Sequence, residues 1–283
     1  MTSNTQQTTS ATELLSVKKL VGYGAILAVI LSTQSLYHDY LYRASHDVIV
    51  GLQAERSQES FDFYNWLSNA SGEGVYACTI LMLLPFMSME RFWYLLIAFQ
   101  TTEFAKSVLK LSFHEPRPTW VWDDVLPIGC SASFGLPSGH CSEAANFVLV
   151  ILLDMFKPSN WSRANHPTLN TKTISNSPYA FAAVLMVFFT YWPLVVFDRV
   201  VLGKHTMNQA VTGSLVGFWC AAFAHFCLRD AIFFHINKIA NGKMQITYDQ
   251  AAKYARAAII LFLSMLTTAV LVSYLNANRA HIE

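Results

Sequence analysis

The chain has 283 residues, of which 53% are hydrophobic, 14% aromatic and only 13% charged, with a formal net charge of +1. So little charge on so apolar a chain argues against a soluble domain, and the near-neutral balance, with no basic stripe, excludes nucleic-acid binding. Five cysteines carry no metal-type pair spacing, and a Cys130–Cys141 disulfide is the one pairing the sparse pattern leaves to consider.

Residues 1–20 are rich in Thr, Ser and Gln and end in Lys18-Lys19 before an apolar stretch that lacks a good small-residue cleavage site. An uncleaved first span is expected rather than a removed signal. Seven apolar windows follow, at about 21–37, 74–88, 92–109, 143–158, 179–197, 206–229 and 255–276. Each approaches the roughly 20 residues that a bilayer core of about 30 Å requires. The expected fold is therefore all-α, a polytopic transmembrane helical bundle of six to seven spans. Residues 1–45 are expected to form a polar amino terminus plus an extra membrane span, and 46–283 one membrane domain whose motif core covers 74–229.

Since each span inverts the chain, 38–73, 110–142, 198–205 and the carboxyl terminus share one face. The amino terminus and the loops near 89–91, 157–178 and 229–256 share the other. The second face holds eleven Lys or Arg residues against seven on the first, so the positive-inside rule makes it cytosolic. Of the sequons Asn69-Ala-Ser and Asn160-Trp-Ser, only Asn69 then lies where sugar is added.

Three stretches on the non-cytosolic face carry chemistry: Lys110-Leu-Ser-Phe-His-Glu-Pro-Arg117-Pro118, Pro137-Ser138-Gly139-His140, and Arg199-Val-Val-Leu-Gly-Lys-His205. A Lys or Arg at a helix end is ordinarily a snorkelling anchor, and Pro-Ser-Gly alone is an ordinary turn. Their conjunction at one membrane edge instead suits an oxyanion site. A transferred phosphoryl group spreads charge over three equatorial oxygens and needs donors already in place. Arg117 and Arg199 offer planar forks, Lys110 a compact charge, and Ser138 with the Gly139 N–H neutral donors at a helix start. Of two histidines, one attacks phosphorus as neutral imidazole and the other protonates the leaving oxygen and later activates water.

Lys-x6-Arg-Pro, Pro-Ser-Gly-His and Arg-x5-His together resemble the three motifs of the type 2 phosphatidic acid phosphatase (PAP2) superfamily, over roughly residues 74–229. That group includes lipid phosphatases, glucose-6-phosphatases and vanadium haloperoxidases. The resemblance implies that His205 is the nucleophile and His140 the general acid, with Arg199 also catalytic. It implies that Lys110, Arg117, Ser138 and Gly139 cradle phosphate, and that the reaction needs no cofactor or metal. The third motif usually opens Ser-Arg, whereas Asp198 precedes Arg199 here; Asp198 either orients a neighbour or pairs with Lys204. The position four after the nucleophile, usually Asp, is Gln209, whose amide carbonyl can still accept the imidazole N–H. Gln at that place, Trp120 and Trp122 after Arg117-Pro118, Cys130 seven residues before Pro137 and the stretch at His46-Asp47 are similar to the glucose-6-phosphatase branch.

Expected partners are thus a phosphorylated small molecule, glucose 6-phosphate ahead of a lipid phosphate, and membrane lipid; the sequence identifies no protein partner. The favoured location is the endoplasmic reticulum with a lumenal site, the plasma or inner membrane being alternatives. Phe113–Pro118 and Phe134–His140 also look like lipid-phosphate members. A haloperoxidase is disfavoured by the many spans, and a non-catalytic membrane subunit by the intact basic and histidine set. Glu103 and Lys106 are expected to pair within their span. His114 and Glu115 are loop residues that could touch substrate. Phe188, Phe189, Tyr191 and Trp192 are expected to be lipid-facing or interfacial belt residues rather than a sugar platform.

Overall fold

The computed structural model describes residues 17–126, 128, 132–156 and 178–240. The expected span at 255–276, nearly all of the 157–178 loop, Cys130 and the Asn160 sequon lie outside these residues. Among the described residues there is no strand, and the all-α expectation holds.

Among the described residues there are nine α-helices: α1 Val17–Ala54, α2 Gln58–Ala70, α3 Glu73–Leu83, α4 Met89–Phe113, α5 Pro118–Val121, α6 Gly139–Phe156, α7 Pro178–Val201, α8 Met207–Phe223 and α9 Arg229–Ala240. Local chemistry sets several ends. Ser57 and Ser88 cap α2 and α4 by accepting the backbone N–H of Ser60 and Arg91. Thr206 and Gln209 close a capping box at the start of α8. His114, at φ 54°, ends α4 in the left-handed conformation, which His tolerates better than a branched residue.

The centre is the α6–α8 pair, the largest interface of the fold. A Cβ on Gly217 would lie 2.1 Å from Ser142 O, and one on Gly213 2.5 Å from Ser138 O. The two backbones therefore approach as closely as only glycine permits, as small residues allow in membrane bundles. Tyr94 and Ala98 of α4, Val150 of α6, Ala221 of α8 and Phe233 of α9 complete one buried cluster.

Side-chain bonds sort the ends of the bundle. Asp154 binds Arg91 at 2.9 Å and Arg229 at 2.6 Å, and Lys19 reaches Phe226 O at 3.2 Å. The starts of α4 and α9 thus meet the end of α6, and the start of α1 meets the π-helical stretch between α8 and α9. At the opposite end His38 meets Glu115, Ser45 Oγ accepts the Met207 N–H, and Gln53 accepts that of Leu126. This grouping agrees with the loop pairing expected from span alternation.

Two helical stretches, Lys18–Ala54 and Met207–Ile239, are long and apolar enough to cross a membrane by length and composition. Val21, Val29 and Leu36 on the first half of α1 are exposed, as lipid contact requires.

Three expectations are corrected. Residues 38–54 are not loop: α1 runs on unbroken, because Ile49 packs with Val125 and Val200 under the site. The expected division at 45/46 falls inside this helix. The 74–88 window is not one helix, since Pro85, without an N–H to continue the ladder, lies in a three-residue 3-10 turn after α3. Of the four aromatics expected to face lipid, only Phe189 is well exposed. Phe188 stacks on Phe218, Trp192 Nε1 donates to Ser214 Oγ at 3.0 Å, and Tyr191 and Tyr76 hydroxyls lie 2.7 Å apart. Positions 188, 191 and 192 share one face by helical periodicity, and 189 falls on another.

Candidate active site

The three motif stretches meet at the end of the bundle where α4 and α7 finish and α6 and α8 begin. Lys110 stands in the last turn of α4 and donates to Ser133 Oγ at 3.2 Å. Arg117 caps α5 and is buried. Its Nε donates to Ser133 O at 2.7 Å, NH2 to Ser133 Oγ at 3.0 Å and NH1 to Lys204 O at 3.0 Å. Three bonds on one planar guanidinium make a fork that cannot swing.

Gly139 and His140 open α6. Ser138 just before them is wholly buried, and its N–H donates to Gln209 O at 3.0 Å. Its hydroxyl, expected as a phosphate donor, has no hydrogen-bond partner among the described residues. Arg199 lies in the last turn of α7 rather than in the following turn. Asp198 grips it through NH2 to both carboxylate oxygens at 2.8 Å. Of the two readings for Asp198, orientation of a neighbour is the one observed; Lys204 instead donates to Ser68 Oγ at 2.9 Å.

His205 is buried between two fixed partners. Arg117 NH1 donates to its Nε2 at 3.2 Å, and its Nδ1 donates to Gln209 Oε1 at 3.0 Å. The Gln209 amide is held on its other side by Glu115 Oε1 at 2.9 Å and Pro116 O at 2.8 Å.

Lys110, Arg117, Gly139, His140, Arg199 and His205 line one cavity of about 450 Å³, within the range of small-molecule pockets. Ser138, Gln209 and Asp198 stand behind its wall. Sequence reasoning missed Ser68, Asn69, Ser133 and Glu143 as lining residues, and Lys204 as more than a partner for Asp198. Glu143 sits one turn beyond His140, a spacing that was there to be read. Glu143 and Glu103 both bind Lys106, so the expected Glu103–Lys106 pair, at 2.8 Å, has a third member. Neither His114 nor Glu115 reaches the cavity: His114 packs edge-on against Phe134 with ring centroids 4.8 Å apart, and Glu115 turns to Gln209. Cys141 is a buried free thiol.

Crowded cations give the site its character. Burial, then the charges of Arg199, Lys204, Lys106 and Lys110, push His140 down to about 2. Burial and then Arg117, Lys110 and Arg199 hold His205 well below the usual imidazole range, the bond to Gln209 opposing. Burial and Arg199 bring Lys204 down to about 8, with Asp198 opposing. Burial and Arg199 likewise bring Arg117 to about 10. A bound anion offsets the part of each shift that neighbouring cations cause, and the cavity's charge suits one. Both histidines are neutral without it, the state in which an imidazole is a nucleophile or a base.

The family model described as the PAP2 superfamily matches residues 91–233, a stretch that takes in all three motifs. A solved structure, the first transmembrane PAP2 type phosphatidylglycerolphosphate phosphatase from Bacillus subtilis, is similar to this chain with a TM-score of 0.50 at 18% identity. The alignment covers 81% of this chain and 99% of that one. No curated protein matches.

Proposed function

The chain belongs to the PAP2 superfamily, and from that premise we propose that it is an integral-membrane phosphatase that hydrolyses a phosphomonoester through a phosphohistidine on His205. The observation that carries this reading is the pair of bonds on His205: Gln209 Oε1 accepts the Nδ1–H, and Arg117 holds the Nε2 lone pair toward the cationic cavity. An incoming phosphoryl group takes over the Arg117 donor. Nε2 then forms the N–P bond as the ester P–O bond breaks, and His140 gives its proton to the leaving oxygen. The substrate dianion, by raising the His140 pKa, lets that residue take up a proton from solvent before the ester bond breaks. Neutral His140 afterwards takes a proton from water, whose oxygen displaces His205 from phosphorus. Lys110, Arg117, Gly139 and Arg199 stabilise the equatorial oxygens throughout; Ser138 positions the helix start.

A sugar phosphate such as glucose 6-phosphate is the favoured substrate. Its support is the likeness of Gln209, Trp120 and Trp122 to the glucose-6-phosphatase branch and a polar cavity of about 450 Å³. A lipid phosphate is the second reading, favoured by the flanks Phe113–Pro118 and Phe134–His140 and by a site at the end of apolar helices. The seven windows and the excess of basic residues on the opposite face support six to seven spans with the site on the non-cytosolic side, the lumen of the endoplasmic reticulum being favoured over the equivalent outer space of a bacterium.

Phosphate release by purified protein in detergent, with EDTA present, from glucose 6-phosphate and from phosphatidate separates these readings. Release from the sugar phosphate that is lost in His205→Ala supports the first; release from phosphatidate alone replaces it with the second. Release from neither by folded protein counts against both.

A further inference from the structure

His205 lacks the carboxylate four residues on that resembling proteins use for orientation, and the neutral Gln209 in its place is ambiguous by itself. An amide can turn either its oxygen or its nitrogen to the imidazole. Turned the wrong way it would present N–H groups to Nδ1 and force the proton onto Nε2, the atom needed for attack. Four contacts decide the matter here. Gln209 Oε1 accepts from His205 Nδ1 at 3.0 Å and from the Thr206 N–H at 3.3 Å. Its Nε2 donates to Glu115 Oε1 at 2.9 Å and to Pro116 O at 2.8 Å. A flipped amide would set donor against donor on one side and acceptor against acceptor on the other.

Glu115 is itself fixed. Asn208 Nδ2 donates to the same Oε1 at 2.8 Å, and His38 Nε2 on α1 faces Oε2 at 3.0 Å while its Nδ1 faces Asp39 at 2.9 Å. A ring with both nitrogens against carboxylate oxygens satisfies them only as a double donor. The left-handed His114 turns the chain so that Glu115 can face α8.

We infer that Glu115 is a positioning residue: acting through Gln209, it fixes the His205 tautomer with the proton on Nδ1 and the lone pair on Nε2, restoring at one amide's remove the missing carboxylate. This rests on the reading of His205 as nucleophile, but its structural content does not. Nitrogen-15 spectra of histidine-labelled protein, with the His205 signals identified by their loss in His205→Ala, read the tautomer without turnover.

Wild type is expected to show a protonated Nδ1 and an unprotonated Nε2. Glu115→Ala shifts proton density to Nε2 and lowers kcat by about tenfold or more while KM changes by less than about threefold. Glu115→Gln, which can still offer an oxygen to Gln209, keeps the wild-type tautomer and most of kcat. Gln209→Asp gives the opposite dependence: two carboxylates then face each other, so adding Glu115→Ala or Glu115→Gln raises activity over Gln209→Asp alone. An unchanged tautomer in Glu115→Ala, or a loss confined to KM, overturns the inference. If Glu115→Ala does not fold, the pairing of Gln209→Asp with Glu115→Gln decides, and a fall in activity there contradicts it. A correct tautomer in protein that hydrolyses no phosphate ester would instead count against the proposed function alone.

Discussion

Arg117 binds Ser133 twice, the Lys204 carbonyl and His205 Nε2; no lysine can reproduce that geometry. Arg117→Lys is expected to cut kcat/KM by about 100-fold, close to the loss of one oxyanion donor, measured by steady-state phosphate release. Gly135 provides a second residue-scale test. A Cβ there would lie 2.4 Å from both polar atoms of the Gln209 amide, which four hydrogen bonds prevent from yielding. Gly135→Ala therefore lowers kcat of the folded protein by about tenfold or more and destabilises it by about 1–3 kcal/mol through overpacking, seen by combining kinetics with a melting curve. The lining residues Lys110, Arg117, Gly139, His140, Arg199 and His205 were legible in the sequence because phosphate chemistry demands those types at those spacings. Ser133, Glu143 and the link from Glu115 to Gln209 were not, because they depend on which loops fold back, and a Glu beside Pro-Arg-Pro carries no periodic or motif signal.

Helix packing explains why the site is rigid. The start of α6 is held against α8 by the missing side chains of Gly213 and Gly217, and Ser138 hangs its backbone on Gln209 O. Gly217→Ala is expected to destabilise by about 1–3 kcal/mol or more through overpacking against the Ser142 backbone. Gly22→Ala on the exposed part of α1, where a Cβ meets nothing within 4 Å, should stabilise slightly, by about 0.5–1 kcal/mol. Denaturant unfolding in detergent compares the two. Apolar windows located α4, α6, α7 and α8 well, since a run of apolar residues is a strong helix signal. They missed the second half of α1, whose residues alternate between a buried face under Val125 and Val200 and a polar one, and so read as loop. The inward turn of Phe188, Tyr191 and Trp192 was hidden for a related reason: lipid and protein neighbours select the same side chains.

For the whole molecule, a concentrated set of cations around the buried His205 and the half-buried His140 couples folding to pH. Both histidines have folded pKa values below their unfolded value of about 6.5. In that situation the unfolded chain binds the extra protons, so this contribution to stability is complete above about pH 6.5. It is lost as pH falls below that, by up to roughly 1.4 kcal/mol per pH unit for each histidine. Melting temperature should fall on acidification, the slope should lessen in His140→Asn, and millimolar inorganic phosphate should offset the loss by binding the folded site. The charge asymmetry also predicts that Asn160 stays free of sugar when the protein is made in a secretory membrane; sugar there would reverse the topology. The central claim is covalent attack by His205. It is tested most directly by rapid acid-free quench of enzyme mixed with phosphorus-32-labelled substrate, followed by peptide mapping. Phosphate on His205, labile to acid and stable to alkali, and absent from His205→Ala, is the predicted result. Turnover that persists in His205→Ala, or label on another residue, would contradict it.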